Sequence, residues 1–174
     1  MNRNVEIKAK VADLATVRKM AEQLADRGPV VLEQEDTFFH CSQGRLKLRC
    51  FRDGTPAELI GYRRGDAAGP KESCYVVYRT SDPRGLLAVL SAALGVRAIV
   101  RKRRTLYLIG PTRVHLDQVE GLGQFVELEV VLQPGQTVAE GVAVAHDVMV
   151  KLGISQDQLV ERAYVDLLQE AQSE

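Results

Sequence analysis

Cysteine is scarce in this 174-residue chain, with three residues at 41, 50 and 74. An odd count without a C-x-x-C pair offers neither a disulfide framework nor a thiolate zinc site. No apolar run approaches the roughly 18 residues of a membrane-crossing helix. The polar start lacks the apolar stretch of a signal peptide, so a soluble cytoplasmic protein is expected. Net charge is absent too, because 23 Lys+Arg balance 23 Asp+Glu. That balance argues against a general nucleic-acid or membrane binder, although charge segregated inside a fold would not show in the sum. Low-complexity tracts, clear repeats and linkers are also missing, which at this length leaves one domain over 1–174. What is present is 45% hydrophobic residues, enough for a proper core.

Helix signals punctuate the chain. Asp13 can cap a helix running to about Arg27, with Leu14, Val17, Met20, Ala21 and Leu24 on one face and Gly28-Pro29 as its stop. Asp82-Pro83 starts a second, through Leu86, Leu87, Leu90 and Leu94 to Gly95. Thr137 with Glu140 makes a capping box for a third, ending near Gly153. Ser155 can cap a short last helix through Tyr164 and Leu168. Strands are expected over 3–11, 30–40, 44–52, 57–64, 72–80, 97–109, 113–119 and 124–133, with turns at 53–54, 65–70, 110–111 and 121–123. Eight strands joined mainly by hairpins predict an antiparallel meander with helices packed outside.

Strand side chains alternate faces, so parity sorts each strand into two sides. Asn4, Glu6, Lys8 and Lys10 share one side, as do Arg45, Lys47 and Arg49. In "ELIGYRR", Leu59, Gly61 and Arg63 fall together. In "VRKRRTLYLI", basic residues occupy both sides, and parity alone is ambiguous. His115 and Asp117 oppose Val114, Leu116 and Gln118, while Glu127 and Glu129 oppose Val126, Leu128 and Val130. The apolar faces must meet the helices, so the charged faces line the other side of the sheet. If the sheet curls closed, they line a tunnel.

A half-exposed sheet with a polar solvent face would also alternate. Solvated faces usually mix Thr, Ser and Gln among the charges, however, and here the signs segregate by strand. The segments 44–52, 57–64 and 97–109 are basic, and 113–119 and 124–133 are acidic. Arg and Lys bind phosphoryl oxygens through charge-assisted hydrogen bonds. Carboxylates hold Mg²⁺ or Mn²⁺, which share oxygen ligands with substrate phosphates. Five or more cations point to a polyphosphate, so the pattern predicts a metal-dependent site for a triphosphate.

The same residues resemble the CYTH family, whose fold is the triphosphate tunnel: an α+β eight-stranded antiparallel β-barrel with helices packed outside. Its members include class IV adenylyl cyclases, thiamine triphosphatases and inorganic tripolyphosphatases. The family's E-x-E-x-K start reads Asn4-Val5-Glu6-Ile7-Lys8 here. "RLKLR" from Arg45, Arg63, Lys71 with Ser73, and Lys102 with Arg104 follow in order. "HLDQVEGLGQFVELE" resembles L-D-x-x-x-G-L-G-x-F-x-E-x-E closely and is the most specific match. "ERAYVDLL" resembles the family's end.

The resemblance implies that Glu6, Asp117, Glu127 and Glu129 hold divalent metal, Mg²⁺ or Mn²⁺. It implies that Lys8, Arg45, Lys47, Arg49, Arg63, Lys102, Arg104 and Arg162 contact the triphosphate, with Lys71 as a further contact. It also turns Lys102 and Arg104 inward. Lys8 and Glu6 are the catalytic candidates, Lys8 serving as a base only if the cavity depresses its pKa. Two departures stand out. Asn4 replaces the first Glu and brings oxygen without charge, and Tyr75 and Val77 make the following strand's wall less charged. His115 shares Asp117's parity, as a wall residue or an acid–base group. "VRKRR" inside an alternating strand reads as wall, not as a nucleic-acid patch.

Three functions share these residues. A class IV adenylyl cyclase-like lyase, making cyclic AMP and pyrophosphate from ATP, is expected first. A triphosphatase acting on tripolyphosphate, thiamine triphosphate or a nucleotide is the alternative. A non-catalytic binder of a triphosphate or an RNA 5′ end is the third. The expected partner is a triphosphate-bearing small molecule, with a homodimer compatible with an open-ended barrel.

Overall fold

The structure, a computed structural model, describes residues 2–65 and 69–171. Part of the turn read over 65–70 thus lies outside the described residues. The strands are β1 (Asn2–Lys10), β2 (Arg27–Phe39), β3 (Arg45–Phe51), β4 (Ala57–Arg64), β5 (Lys71–Thr80), β6 (Val96–Ile109), β7 (Thr112–Val119) and β8 (Gly123–Val131). The helices are α1 (Leu14–Leu24), α2 (Pro83–Leu94), α3 (Val138–Lys151) and α4 (Tyr164–Ala171).

All eight strands close into one antiparallel barrel in the order β1-β5-β4-β3-β2-β6-β7-β8. It is not the simple meander that the hairpin signals predict. β2 to β5 and β6 to β8 each form a meander. The long β2–β6 pairing, from Arg27 opposite Leu108 to Phe39 opposite Val96, joins the two runs. β1 closes the barrel by inserting between β5 and β8. A closed barrel leaves no unpaired strand edge.

The helices form where the caps place them. Asp13 accepts hydrogen bonds from the Ala15 N–H at 2.9 Å and the Thr16 hydroxyl at 2.7 Å. α1 then buries Leu14, Val17 and Ala21. It ends at Leu24 rather than Arg27, because β2 already begins at Arg27 and runs through Gly28-Pro29. The Thr137–Glu140 capping box starts α3, whose Ala145, Val148 and Met149 pack with Ile7, Val114 and Leu128 in the main core. Gly141 lets α3 approach β1, since a Cβ there would stand 2.6 Å from Leu132 and 2.8 Å from Val5. α2 begins on Asp82 and Pro83 and lays Leu86, Leu87 and Leu90 over Phe39, Leu48 and Ala57. The last region differs from the expectation. Ser155 caps only a three-residue 3₁₀ turn, Gln156–Gln158, and the helix restarts at Tyr164. No helix among the described residues is long and apolar enough to cross a membrane.

Candidate active site

Three helices cover outer faces of the barrel, so the inward side chains face one another across a cavity of about 570 Å³. β1 contributes Asn4, Glu6 and Lys8, β2 contributes Gln34 and Asp36, and β3 contributes Lys47 and Arg49. β4 adds Tyr62 and Arg64, β6 adds Lys102 and Arg104, and β7 and β8 add His115, Glu127 and Glu129. Segment 159–164 crosses one end. The Val160 N–H donates to the Lys8 carbonyl at 2.8 Å, the Glu161 carbonyl accepts from Lys71 Nζ, and Ala163 and Tyr164 face the cavity. Asp166 ties α4 down through Arg45 at 2.9 Å and Arg97 at 2.6 Å. Toward the other end the wall mixes apolar and charged side chains, with Leu32, Phe51, Tyr75, Val77 and Leu106 beside Glu58, Arg79 and Arg113.

The cations that stand apart from the Asp117–Glu127 wall form two sets. Asp36, 1% exposed, accepts from Arg49 Nε and Nη2 at 2.7 Å each, from Lys47 Nζ at 3.0 Å and from Lys102 Nζ at 2.9 Å. Burial alone would raise the Asp36 pKa, but the three cations hold it well below the usual carboxylate range. Burial pushes Lys102 down to about 7 against the pull of Asp36. Arg64 is the second set. It reaches Glu6 at 3.3 Å through Nη1, while its buried Nε and Nη2 have no hydrogen-bond partner among the described residues. Buried guanidinium donors left unpaired are costly.

The carboxylates stand on the adjoining wall. Glu6 and Glu129 are register partners, as are Lys8 and Glu127. Arg104 donates to both oxygens of Asp117, at 2.7 and 2.6 Å, and to Glu127 at 2.6 Å. His115 Nε2 lies 3.1 Å from Glu129. Burial and the neighbouring Glu129 and Glu127 raise the Glu6 pKa. Burial works against the Glu129 carboxylate, but His115 brings it down to about 2. Burial lowers Lys8, with Arg64 adding to the effect and Glu127 opposing it. Lys8 Nζ sits 3.9 Å over the Tyr164 ring and 3.9 Å from Glu127.

Among the described residues, no three His, Cys, Asp or Glu side chains are already gathered closely enough to hold a metal ion. The donor chemistry nonetheless suits a hard divalent cation. The Asn4 side-chain oxygen is buried without a partner, two residues from Glu6 and on the same face. The mutual repulsion of Glu6 and Glu129 is what a cation between them would relieve.

The structure gathers Glu6, Lys8, Lys47, Arg49, Lys102, Arg104, Glu127 and Glu129 around this cavity. Other residues named from the sequence lie elsewhere. Arg63 is exposed and donates to Gln43, because Ile60, Tyr62 and Arg64 are the inward set of β4. Arg64 therefore stands where Arg63 was expected. Arg162 also faces outward and pairs with Glu170, and only its carbonyl reaches inward, to Lys8 Nζ at 3.3 Å. Asp117 is fully buried outside the cavity lining, its oxygens taken by Arg104 and the Tyr164 hydroxyl at 2.8 Å. It serves Arg104 rather than offering an open metal ligand. Arg45 is bound to Asp166, and Lys71 keeps inward parity near the crossed end but is not part of the cavity wall. Asp36, Arg64 and Tyr164 are wall residues that sequence reading missed. The alternation Leu32, Gln34, Asp36, Phe38 carries the signal for the first.

The sequence profile of the CYTH domain matches residues 2–164. The chain belongs to the CYTH domain family. Adenylate cyclase CyaB of Aeromonas hydrophila is 27% identical over 178 residues, covering 96% of this chain and 89% of that protein. The structure of PH1012 protein from Pyrococcus horikoshii OT3 superposes with a TM-score of 0.85 at 24% identity, over 95% of this chain and 99% of the other. HpAC1 from Hippeastrum, for which a dominant triphosphatase activity is described, gives 0.69 at 12% identity, over 98% and 96%. At such identities the two structures share the fold alone with this CYTH chain.

Proposed function

We propose that this CYTH protein acts on a triphosphate held in the barrel, as a class IV adenylyl cyclase-like lyase converting ATP to cyclic AMP and pyrophosphate. The observation that carries this reading is the cation wall. Lys47, Arg49 and Lys102 converge on one side, and Arg64, two of whose buried nitrogens have no partner among the described residues, lines the same cavity. A chain of phosphates supplies the acceptors these donors lack. The volume, about 570 Å³, falls within the ~300–1,000 Å³ of small-molecule sites. The cyclase assignment rests on the CyaB relative and on Phe51, Tyr75 and Val77 in the wall, which offer a nucleobase apolar faces to lie against.

The phosphates bind toward the crossed end and the nucleoside toward the opposite end, beside Phe51, Tyr75 and Val77. The ribose 3′ oxygen attacks the α-phosphorus, and the bond from that phosphorus to the β-bridging oxygen breaks. Solvent takes the 3′-hydroxyl proton, and Lys8, beside the crossed end, contacts the phosphate chain through Nζ. Lys47, Arg49, Arg64 and Lys102 neutralise the departing pyrophosphate. Glu6 and Glu129, with the Asn4 oxygen, would hold Mg²⁺ or Mn²⁺. When bound, such an ion supplies Lewis acidity at the phosphoryl oxygens. Glu127, already bound to Arg104, keeps that arginine oriented.

Glu129→Gln tests the assignment. Pyrophosphate release from ATP with Mn²⁺ should fall at least about 100-fold, because Gln keeps the shape but loses the charge that attracts the cation. The circular dichroism spectrum should be unchanged. Undiminished release would remove Glu129 from the site.

A further inference from the structure

Asp36 has no place in the reaction just described, yet it is among the most completely engaged groups in the molecule. It lies on β2, between the cation-bearing strands β3 and β6, and is 1% exposed. Its two oxygens accept four hydrogen bonds from three cations, between 2.7 and 3.0 Å. Each lysine spends one of its three N–H donors on Asp36, and Arg49 spends two of its five. The remaining donors belong to side chains that line the cavity. Lys47 and Arg49 keep 14% and 12% of their side-chain surface open, whereas Asp36 keeps none to speak of.

We propose that Asp36 is a positioning residue, which gathers Lys47, Arg49 and Lys102 from behind into one fixed array that receives the phosphate chain. The proposal rests on the triphosphate reading above and adds a residue to it. Three cations on facing strand positions repel one another, and long side chains lose much rotamer freedom when held together. One buried carboxylate removes the repulsion and fixes all three head groups before any ligand arrives, which lowers the cost of binding. Arg64 shows the contrasting arrangement. It reaches Glu6 through one nitrogen only and leaves its other buried donors unpaired.

The test is calorimetric binding of two probes, tripolyphosphate and α,β-methylene ATP, to the wild-type protein and to Asp36→Asn. Wild type should bind, and the variant should bind both probes on the order of tenfold more weakly, the loss expected when charge-assisted hydrogen bonds no longer hold their donors in place. In ¹⁵N-lysine spectra the Lys47 and Lys102 ammonium signals of the folded variant should broaden through faster hydrogen exchange, which a purely structural role elsewhere would not produce. Equal or tighter binding by the variant overturns the positioning role and leaves the triphosphate reading intact. Failure of wild type to bind either probe overturns both. If circular dichroism shows Asp36→Asn unfolded, the wild-type spectra carry the test. Tripolyphosphate should shift the Lys47 and Lys102 signals together, and unmoved signals would end the proposal.

Discussion

Arg63 and Arg64 are neighbours in sequence and opposites in environment. Arg63 is exposed, whereas Arg64 lines the cavity, keeps only 3% of its side-chain surface and carries two buried nitrogens without a partner among the described residues. Replacing each by Ala separates their roles. Arg64→Ala should weaken tripolyphosphate binding roughly 10- to 100-fold, the equivalent of charge-assisted bonds worth about 1.5–3 kcal/mol. Arg63→Ala should leave the affinity within about twofold. Calorimetry on both variants checks the pair, and a larger loss from Arg63 would reverse the inward assignment of β4. Parity was legible on β8, where Glu127 and Glu129 alternate with apolar residues on a single pattern. It was not legible on β4, because an Arg-Arg doublet offers a basic residue to either side and only the β4–β5 register decides between them. Asp36 escaped notice for a related reason. Glu33, Glu35 and Asp36 crowd one strand, and the signal that separates them is only the even parity that Asp36 shares with Leu32, Gln34 and Phe38.

Each strand works as an element with two faces. On β8 the inward face carries Glu127 and Glu129, and the outward face packs Val126, Leu128 and Val130 into the core beneath α1 and α3. The site carboxylates are therefore only as well placed as the packing on the reverse side. Leu128, with no exposed surface, tests this coupling. Leu128→Ala should cost about 2–5 kcal/mol in denaturant unfolding, from lost burial plus the cavity left behind. A cost below about 1 kcal/mol would mean that β8 is not held by this core. The helix starts were legible because Asp13, Asp82 and Thr137 act locally through hydrogen bonds to residues within three positions. The C-terminal segment was not. No helix forms over 159–163, where Val160 bonds to Lys8 and Leu159 bridges to Ala9, partners about 150 positions away.

At the scale of the whole molecule, barrel closure turns alternating strands into a site. The alternation and the sign of each strand pointed to a tunnel with cationic and acidic walls. The strand order did not follow from hairpin signals, which find only partners adjacent in sequence. The β2–β6 pairing and the insertion of β1 between β5 and β8 are long-range contacts, set by burying apolar outer faces under three helices. Closure brings Glu6 opposite Glu129 and sets that pair in one cavity with Lys47, Arg49, Arg64 and Lys102. Charges of both signs, hidden in the zero sum over the sequence, thus meet in one interior space. In the proposed function this space converts a nucleoside triphosphate. The most direct measurement is phosphorus NMR of ATP incubated with the purified protein and Mn²⁺. Pyrophosphate appearing together with a cyclic phosphodiester signal is the predicted result. Orthophosphate with ADP would contradict the cyclase chemistry, and an ATP spectrum unchanged in position and linewidth would contradict binding of this nucleotide in the tunnel.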